Sequence, residues 1–107
     1  MTADRLRADY EACVVALRAQ ADIMRRQAIA PEAIARAMHA ARRRIAGAFK
    51  ERTSEPLRAA VYARTLALYG DPLGPTLEAL RARGKSWDDI IESATRPGRA
   101  IPDDPRR

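Results

Sequence analysis

Cysteine, histidine and aromatic residues are scarce in this chain of 107 residues, which contains one Cys, one His and 5 % aromatic residues. The lone Cys13 excludes an internal disulfide and a cysteine-based metal site, and we interpret it as a core residue. No apolar run approaches the roughly 18 residues that cross a bilayer. Five of the first eleven residues are charged, so we expect no signal peptide, membrane anchor or membrane span.

The sequence motifs of several enzyme classes are absent as well. There is no glycine-rich phosphate loop, no His-Glu-x-x-His and no Gly-x-Ser-x-Gly, which excludes the usual sites of nucleotide hydrolysis, zinc proteolysis and serine hydrolysis. One acidic cluster is present, Asp88, Asp89 and Glu92, but a hard cation usually gathers more oxygen ligands than these supply. The sequence therefore predicts no metal and no cofactor.

Arginine, alanine and aliphatic residues make up much of the chain instead. Lys and Arg number 20 against 14 Asp and Glu, which gives a net charge of +6, and 47 % of the residues are hydrophobic. A basic balance suits phosphate-bearing partners. Because strands prefer β-branched and aromatic side chains, an alanine-rich chain with few aromatics favours helices over a sheet.

The apolar residues recur every three to four positions, which predicts an all-α fold. We expect a single small bundle of about five helices, two long ones at the N-terminus, one central and two short ones at the C-terminus. The first helix is expected from a Thr2 cap to about Gln27, and the second begins at Pro31. Residues 1–96 are predicted to form the domain and residues 97–107 a flexible, frayed tail.

The third helix is expected to be capped by Thr53 or Ser54, to carry Pro56 in its first turn and to stop at Gly70. Its apolar side chains fall on two nearly opposite faces of the helix. This pattern is typical of a helix in the centre of a bundle.

Two short helices are predicted near the C-terminus. The fourth runs from Pro75 to Gly84, and Ser86 caps the fifth with Asp89 as its capping-box partner. A helix-turn-helix interpretation of this pair is disfavoured, because the second helix would offer acidic side chains to DNA phosphates.

The segment GDPLGP, Gly70–Pro75, separates the third and fourth helices. Its two prolines fix the chain direction and Gly70 permits a left-handed exit from the helix, so a rigid reversal is predicted. The reversal is expected to bring four side chains toward the turn Gly84–Trp87: Arg64, Tyr69, Asp71 and Thr76.

The second helix carries the excess of positive charge. On a helical wheel one sector opposite the apolar stripe collects four side chains, Arg36, His39, Arg43 and Lys50. Such a basic ridge is either a solvated polar face or an edge that contacts phosphates, and both alternatives stay open. His39 adds a group that can act as a general base.

Four motifs in residues 40–98 form a familiar series: YGDPLGP (Tyr69–Pro75), GKSW (Gly84–Trp87), IIESA (Ile90–Ala94) and RPG (Arg96–Gly98). In this order they resemble the C-terminal toxin modules of bacterial polymorphic toxins, of the Rhs-repeat and contact-dependent-inhibition haemagglutinin type. Thr65 and Arg99 depart from that pattern, which has asparagine and glycine at these positions.

The resemblance implies an effector domain that is secreted or delivered into a competing cell, acts in its cytoplasm and has a cognate immunity protein as partner. Such modules are often nucleases, so the leading hypothesis is metal-independent phosphodiester cleavage of RNA or DNA. The predicted catalytic residues are His39, Arg64 and Lys85. The predicted nucleic-acid-binding residues are Arg36, Arg43, Lys50 and Arg96. The residues predicted to shape the loop or the site are Tyr69, Asp71, Thr76 and Trp87.

The alternative is a non-enzymatic helical interaction module, such as an immunity protein, an adaptor or a nucleic-acid-binding regulator. An immunity protein against a nuclease is expected to be acidic, because it covers a basic active site. The positive net charge of this chain argues against that one role, while binding in general remains an alternative to catalysis.

Overall fold

The computed structural model describes residues 3–71 and 73–96. Over these residues the chain forms five α-helices and no strand, which confirms the predicted all-α bundle. The helices are α1 (Ala3–Arg26), α2 (Pro31–Arg52), α3 (Leu57–Tyr69), α4 (Leu77–Ala82) and α5 (Trp87–Thr95). Across the described ranges, none of these helices combines the length and the apolarity that a membrane crossing requires. The predicted Thr2 cap and the predicted tail at 97–107 lie outside the described residues.

The main core lies where α1, α2 and α5 meet. It is built from small and aliphatic side chains: Ala21, Ile34, Ala35, Met38, Ile90, Ile91 and Ala94. Leu77 and Leu80 of α4 and Trp87 of α5 pack against its edge. Each buried aliphatic side chain contributes about 1.5 to 3 kcal/mol to folding. This burial holds α5, which has only nine residues, against the two long helices.

A second cluster lies at the other end of the long helices. Leu6, Tyr10 and Val14 of α1 pack there against Phe49 of α2. The rings of Tyr10 and Phe49 meet edge to face, with centroids 5.3 Å apart and an interplanar angle of 82°. Cys13 is half-buried at the edge of this cluster. The two clusters together keep α1 and α2 in contact along most of their length.

The third helix does not occupy the centre of the bundle, in contrast to the expectation from its two apolar faces. Val61 is its one buried residue, whereas Leu66 is 52 % exposed, Leu68 59 % and Tyr69 44 %. The closely packed trio is α1, α2 and α5, and α3 lies beside it. Three large apolar side chains near the end of α3 are therefore left toward solvent.

The start of α3 also differs from the prediction. The Thr53 hydroxyl donates a hydrogen bond to the carbonyl of Phe49 at 2.8 Å, so this side chain ends α2 and does not cap α3. Pro56 occupies the N-cap position of α3 without a side-chain hydrogen bond. Thr53 is buried, and its local bond to the helix satisfies a hydroxyl that would otherwise lack a partner.

The caps of the two C-terminal helices depend on short side chains. Thr76, and not Pro75, caps α4 by accepting a hydrogen bond from the backbone N–H of Ala79. Ser86 and Asp89 form the predicted capping box at the start of α5, with bonds of 3.0 and 3.1 Å. The N–H of Ser86, followed by its hydroxyl, holds the pKa of Asp89 below its ordinary value. Both helices thus begin where their sequences provide an oxygen for the free N–H groups.

Candidate functional site

The reversal between α3 and α4 is fastened to the polar face of α2. Gly70 leaves α3 with a φ of 72°, and its N–H donates to the carbonyl of Leu66 at 2.8 Å. Gly74 has a φ of 103°, which glycine adopts without the steric cost of a side chain. The carbonyls of Gly74 and of the next residue, Pro75, both accept hydrogen bonds from side chains of α2. The loop is therefore part of the folded body.

Arg43 and Asp71 form the strongest of these connections. The Arg43 Nη2 donates to both carboxylate oxygens of Asp71 at 3.1 Å, and Nη1 donates to the carbonyl of Gly74 at 3.1 Å. The N–H of Leu73 donates to Asp71 Oδ1 at 2.8 Å. This backbone bond, followed by the Arg43 guanidinium, lowers the pKa of Asp71. A carboxylate that accepts this many hydrogen bonds fixes the first half of the loop.

His39 makes the second connection. Its Nε2 lies 2.9 Å from the carbonyl oxygen of Pro75. A carbonyl can only accept, so Nε2 carries the proton and Nδ1 is the nitrogen that can take one up. Among the described residues Nδ1 has no hydrogen-bond partner. The ring can thus act as a base only through Nδ1 while it keeps its hold on the loop.

These connections enclose a cleft of about 290 Å³ between α2, α3, α5 and the loop. Four residues predicted from the sequence line it: His39, Lys50, Arg64 and Tyr69. Tyr10, Thr65 and Ser93 also line it, and Leu73, Leu80 and Ile90 form its apolar part. Its described lining contains no Asp or Glu, although the chain has 14 acidic residues. The cleft is consequently a cationic surface without an internal counter-charge.

Lys50 and Arg64 are the cations of this cleft whose charged groups donate no hydrogen bond within the described part of the chain. Lys50 is only 9 % exposed, and its Nζ lies 5.5 Å from the centroid of the Tyr62 ring. Burial lowers its pKa, because the charged form loses hydration. Arg64 is exposed, and over residues 3–71 and 73–96 no hydrogen bond or ion pair to its guanidinium is present. An anion entering the cleft would find both side chains available.

Arg42 also lines the cleft, although it was not predicted as a site residue from the sequence pattern. Its Nε donates to the Tyr10 hydroxyl at 2.8 Å, and its Nη1 donates to the carbonyls of Ala94 at 2.9 Å and Arg96 at 3.0 Å. The guanidinium carbon also lies 5.2 Å from the Tyr10 ring centroid. A signal was present in the sequence, because Arg42 follows Met38 by four positions, on the edge of the apolar stripe.

The remaining predicted site residues lie away from the cleft lining. Arg36 pairs with Glu32 at 3.0 Å on the surface of α2. Trp87 is half-buried under two guanidiniums, that of Arg81 at 3.9 Å and that of Arg36 at 5.3 Å from the ring centroid. The Trp87 ring therefore makes its stacking contacts with side chains of its own fold. Three further residues act at helix ends or on the surface: Thr76, Lys85 and Arg96.

Two of the acidic side chains of α5 contact arginines of α1. Glu92 accepts a hydrogen bond from Arg18 at 3.2 Å, and Asp88 lies 3.9 Å from Arg25. In the described part of the chain no three His, Cys, Asp or Glu side chains come together as a metal site would require. These carboxylates therefore help to fasten α5 to α1.

Comparisons with models of protein families, with curated proteins and with solved structures find no match to this chain.

Proposed function

We propose that this chain is an antagonistic effector module that acts on nucleic acid and holds a phosphate group of its substrate in the cleft. The observation that carries the proposal is the set of cations in a cleft whose described lining contains no carboxylate. A phosphodiester would supply a negatively charged partner for Lys50 and Arg64. The resemblance of the loop and turn motifs to polymorphic toxin modules supports the same interpretation.

The chemistry we propose is cleavage of the phosphodiester without a metal. Such a reaction needs a group that accepts a proton and cations that stabilise charge on the phosphate oxygens, and proton transfer by a side chain contributes about 10² to 10⁴-fold. His39 Nδ1 is the proposed base, and Arg64 with Lys50 are the proposed charge-stabilising groups. Lys85, which we predicted from the sequence as catalytic, does not line the cleft and has no part in this version of the proposal.

Expression of the chain in a bacterial host tests the proposed toxicity. We expect growth arrest on induction and its relief by Arg64→Ala. Arg44→Ala is the matched control, because Arg44 is exposed on α2, lies outside the cleft lining and carries the same charge. Normal growth of cells that express the unmodified chain would contradict an effector role.

The variant His39→Gln tests whether His39 acts as the general base. Glutamine at position 39 keeps an N–H donor for the Pro75 carbonyl but cannot take up a proton as a general base. If His39→Gln preserves the growth arrest while Arg64→Ala relieves it, then His39 only fastens the loop.

Binding to single-stranded RNA and DNA oligonucleotides, followed by fluorescence anisotropy at several salt concentrations, tests the proposed substrate class. For one lost phosphate contact, the slope of log K against log salt should shrink by about 0.7 in Arg64→Ala. Arg44→Ala should leave the slope within error of the parent chain. Equal slopes for all three proteins would show that Arg64 makes no contact with a phosphate.

An interaction module is the second candidate, and the exposed apolar side chains of α3 favour it. Leu66 is one of them and lies outside the cleft lining. A growth effect relieved by Leu66→Asp and unchanged in Arg64→Ala would assign it to protein binding through α3.

A further inference from the structure

The chain contains two lysines, and they have opposite surroundings. Lys50 lies near the end of α2, is 9 % exposed and lines the cleft. Lys85 is exposed in the turn between α4 and α5. Each lysine therefore serves as an internal control for the reactivity of the other.

Burial gives Lys50 a larger share of neutral amine than an exposed lysine has, because it lowers the pKa of the side chain. Arg42 and Arg64 are the other basic side chains beside His39 in the described lining, which contains no Asp or Glu to stabilise the ammonium form. The Tyr62 ring under Nζ favours the ammonium form, yet burial dominates and the pKa of Lys50 is lowered. Only the neutral amine has the lone pair that attacks a carbonyl carbon.

We propose that Lys50 is a covalent, reversible binding site for small aldehydes that carry a phosphate group. The amine nitrogen forms a bond to the aldehyde carbon, the carbonyl oxygen leaves as water and a C=N bond remains. One aldehyde and one amine thus give one imine and one water, without oxidant or reductant. Water reverses the reaction. The phosphate group is bound by the guanidinium of Arg64, which has no anionic partner in the described part of the chain.

The size and lining of the cleft set the class of ligand. Its volume of about 290 Å³ is at the lower limit of small-molecule pockets, which start at about 300 Å³. Leu73, Leu80 and Ile90 provide an apolar wall for the body of such a ligand. This proposal depends on the proposed function in one respect only, which is that Arg64 binds a phosphate group. The nucleophilic role of Lys50 does not require the ligand to be a nucleic acid.

Labelling of the full chain with pyridoxal 5′-phosphate tests the site. Borohydride reduction makes the imine permanent, and digestion with mass spectrometry then assigns the adduct to Lys50, to Lys85 or to the α-amino group of the chain. We expect Lys50 to carry most of the adduct at substoichiometric reagent. Equal or greater labelling of Lys85 would overturn the proposal.

The unphosphorylated aldehyde, pyridoxal, is the matched control for the phosphate contact. We expect the phosphorylated reagent to label Lys50 at about tenfold lower concentration, and Arg64→Ala to remove that difference while Arg44→Ala keeps it. Lys50→Arg should abolish the adduct at position 50, and Lys85→Arg should leave it intact. An undiminished phosphate preference in Arg64→Ala would exclude Arg64 as the phosphate contact.

The two proposals fail separately in these assays. Normal bacterial growth together with selective labelling of Lys50 would refute the effector role and keep the covalent site. Growth arrest together with unselective labelling would keep the effector role and refute the covalent site.

Discussion

Replacement of Arg42 by methionine should destabilise the fold strongly for the loss of a single charge. The guanidinium connects three helices, because it donates from α2 to the Tyr10 hydroxyl of α1 and to the carbonyl of Ala94 in α5. Methionine retains an unbranched stem of similar length but has no donor. The variant therefore removes the hydrogen bonds and preserves most of the packing.

The expected magnitude follows from the two part-buried bonds, at 2.8 and 2.9 Å. A hydrogen bond to a charged group contributes about 1.5 to 3 kcal/mol, and the exposed bond to the carbonyl of Arg96 adds little. Because both bonds share one guanidinium, their losses are not fully additive. We expect a loss of about 3 kcal/mol in the free energy of unfolding. For a domain of this size that corresponds to a drop in Tm of about 12 to 24 °C.

Urea unfolding followed by circular dichroism measures this loss. Arg42→Lys, which keeps the charge but not the planar fork, should lose about half as much as Arg42→Met. A double-mutant cycle with Tyr10→Phe should give a coupling of about 1 kcal/mol. A loss below about 0.5 kcal/mol in Arg42→Met would refute the reasoning, since that is the effect of an ordinary surface substitution.

Two further predictions concern the loop and the last helix. Asp71→Asn keeps an oxygen for the Leu73 N–H and removes the charge facing Arg43. Because the pKa of Asp71 is lowered from its ordinary 3.8, the carboxylate contributes stability above that pH, and the contribution is lost as the pH falls through the folded-state pKa. The difference in Tm between Asp71→Asn and the parent chain should therefore be largest near neutral pH and shrink as the pH falls below the ordinary pKa of 3.8; a difference independent of pH would contradict this. Ser86→Ala should cost about 1 kcal/mol in urea unfolding through loss of the capping box, while Ser54→Ala, at an exposed serine, should cost less than about 0.5 kcal/mol. Equal costs for the two serines would show that the cap does not stabilise α5.

The positions of the helices could be predicted from the sequence because their signals are local. The three-to-four spacing of apolar residues, Pro31 at the start of α2 and the Ser86–Asp89 capping box all act within a turn or two of the chain. The prediction failed at Thr53, whose hydroxyl turns back to α2. Either helix could use that hydroxyl, and the sequence pattern does not distinguish them.

The position of α3 could not be predicted from its two apolar faces. Leu66, Leu68 and Tyr69 satisfy the pattern of a central helix but remain exposed. The pattern records which side chains are apolar, whereas burial depends on whether another helix is available to cover them. Here α5 already fills the space against α1 and α2.

Part of the candidate site could also be predicted from the local sequence pattern. The helical wheel groups His39, Arg43 and Lys50 on one side of α2, yet it does not reveal that two of them bind the loop and that Lys50 lines the cleft. Arg42 was missed because its partners Tyr10 and Ala94 belong to other helices.

The sequence by itself determined the five helices, the capping box of α5 and the left-handed exit from α3 at Gly70, since propensity, periodicity and capping involve neighbouring residues. Tertiary structure decided which charges remain available. The bonds that occupy Arg43, His39 and Arg42 span 28, 36 and 52 positions of the chain, and only packing of the helices brings such distant groups within 3.1 Å. Once these side chains have found partners inside the fold, Lys50 and Arg64 are left as cations without a hydrogen-bond partner in a cleft where no described lining residue is a carboxylate.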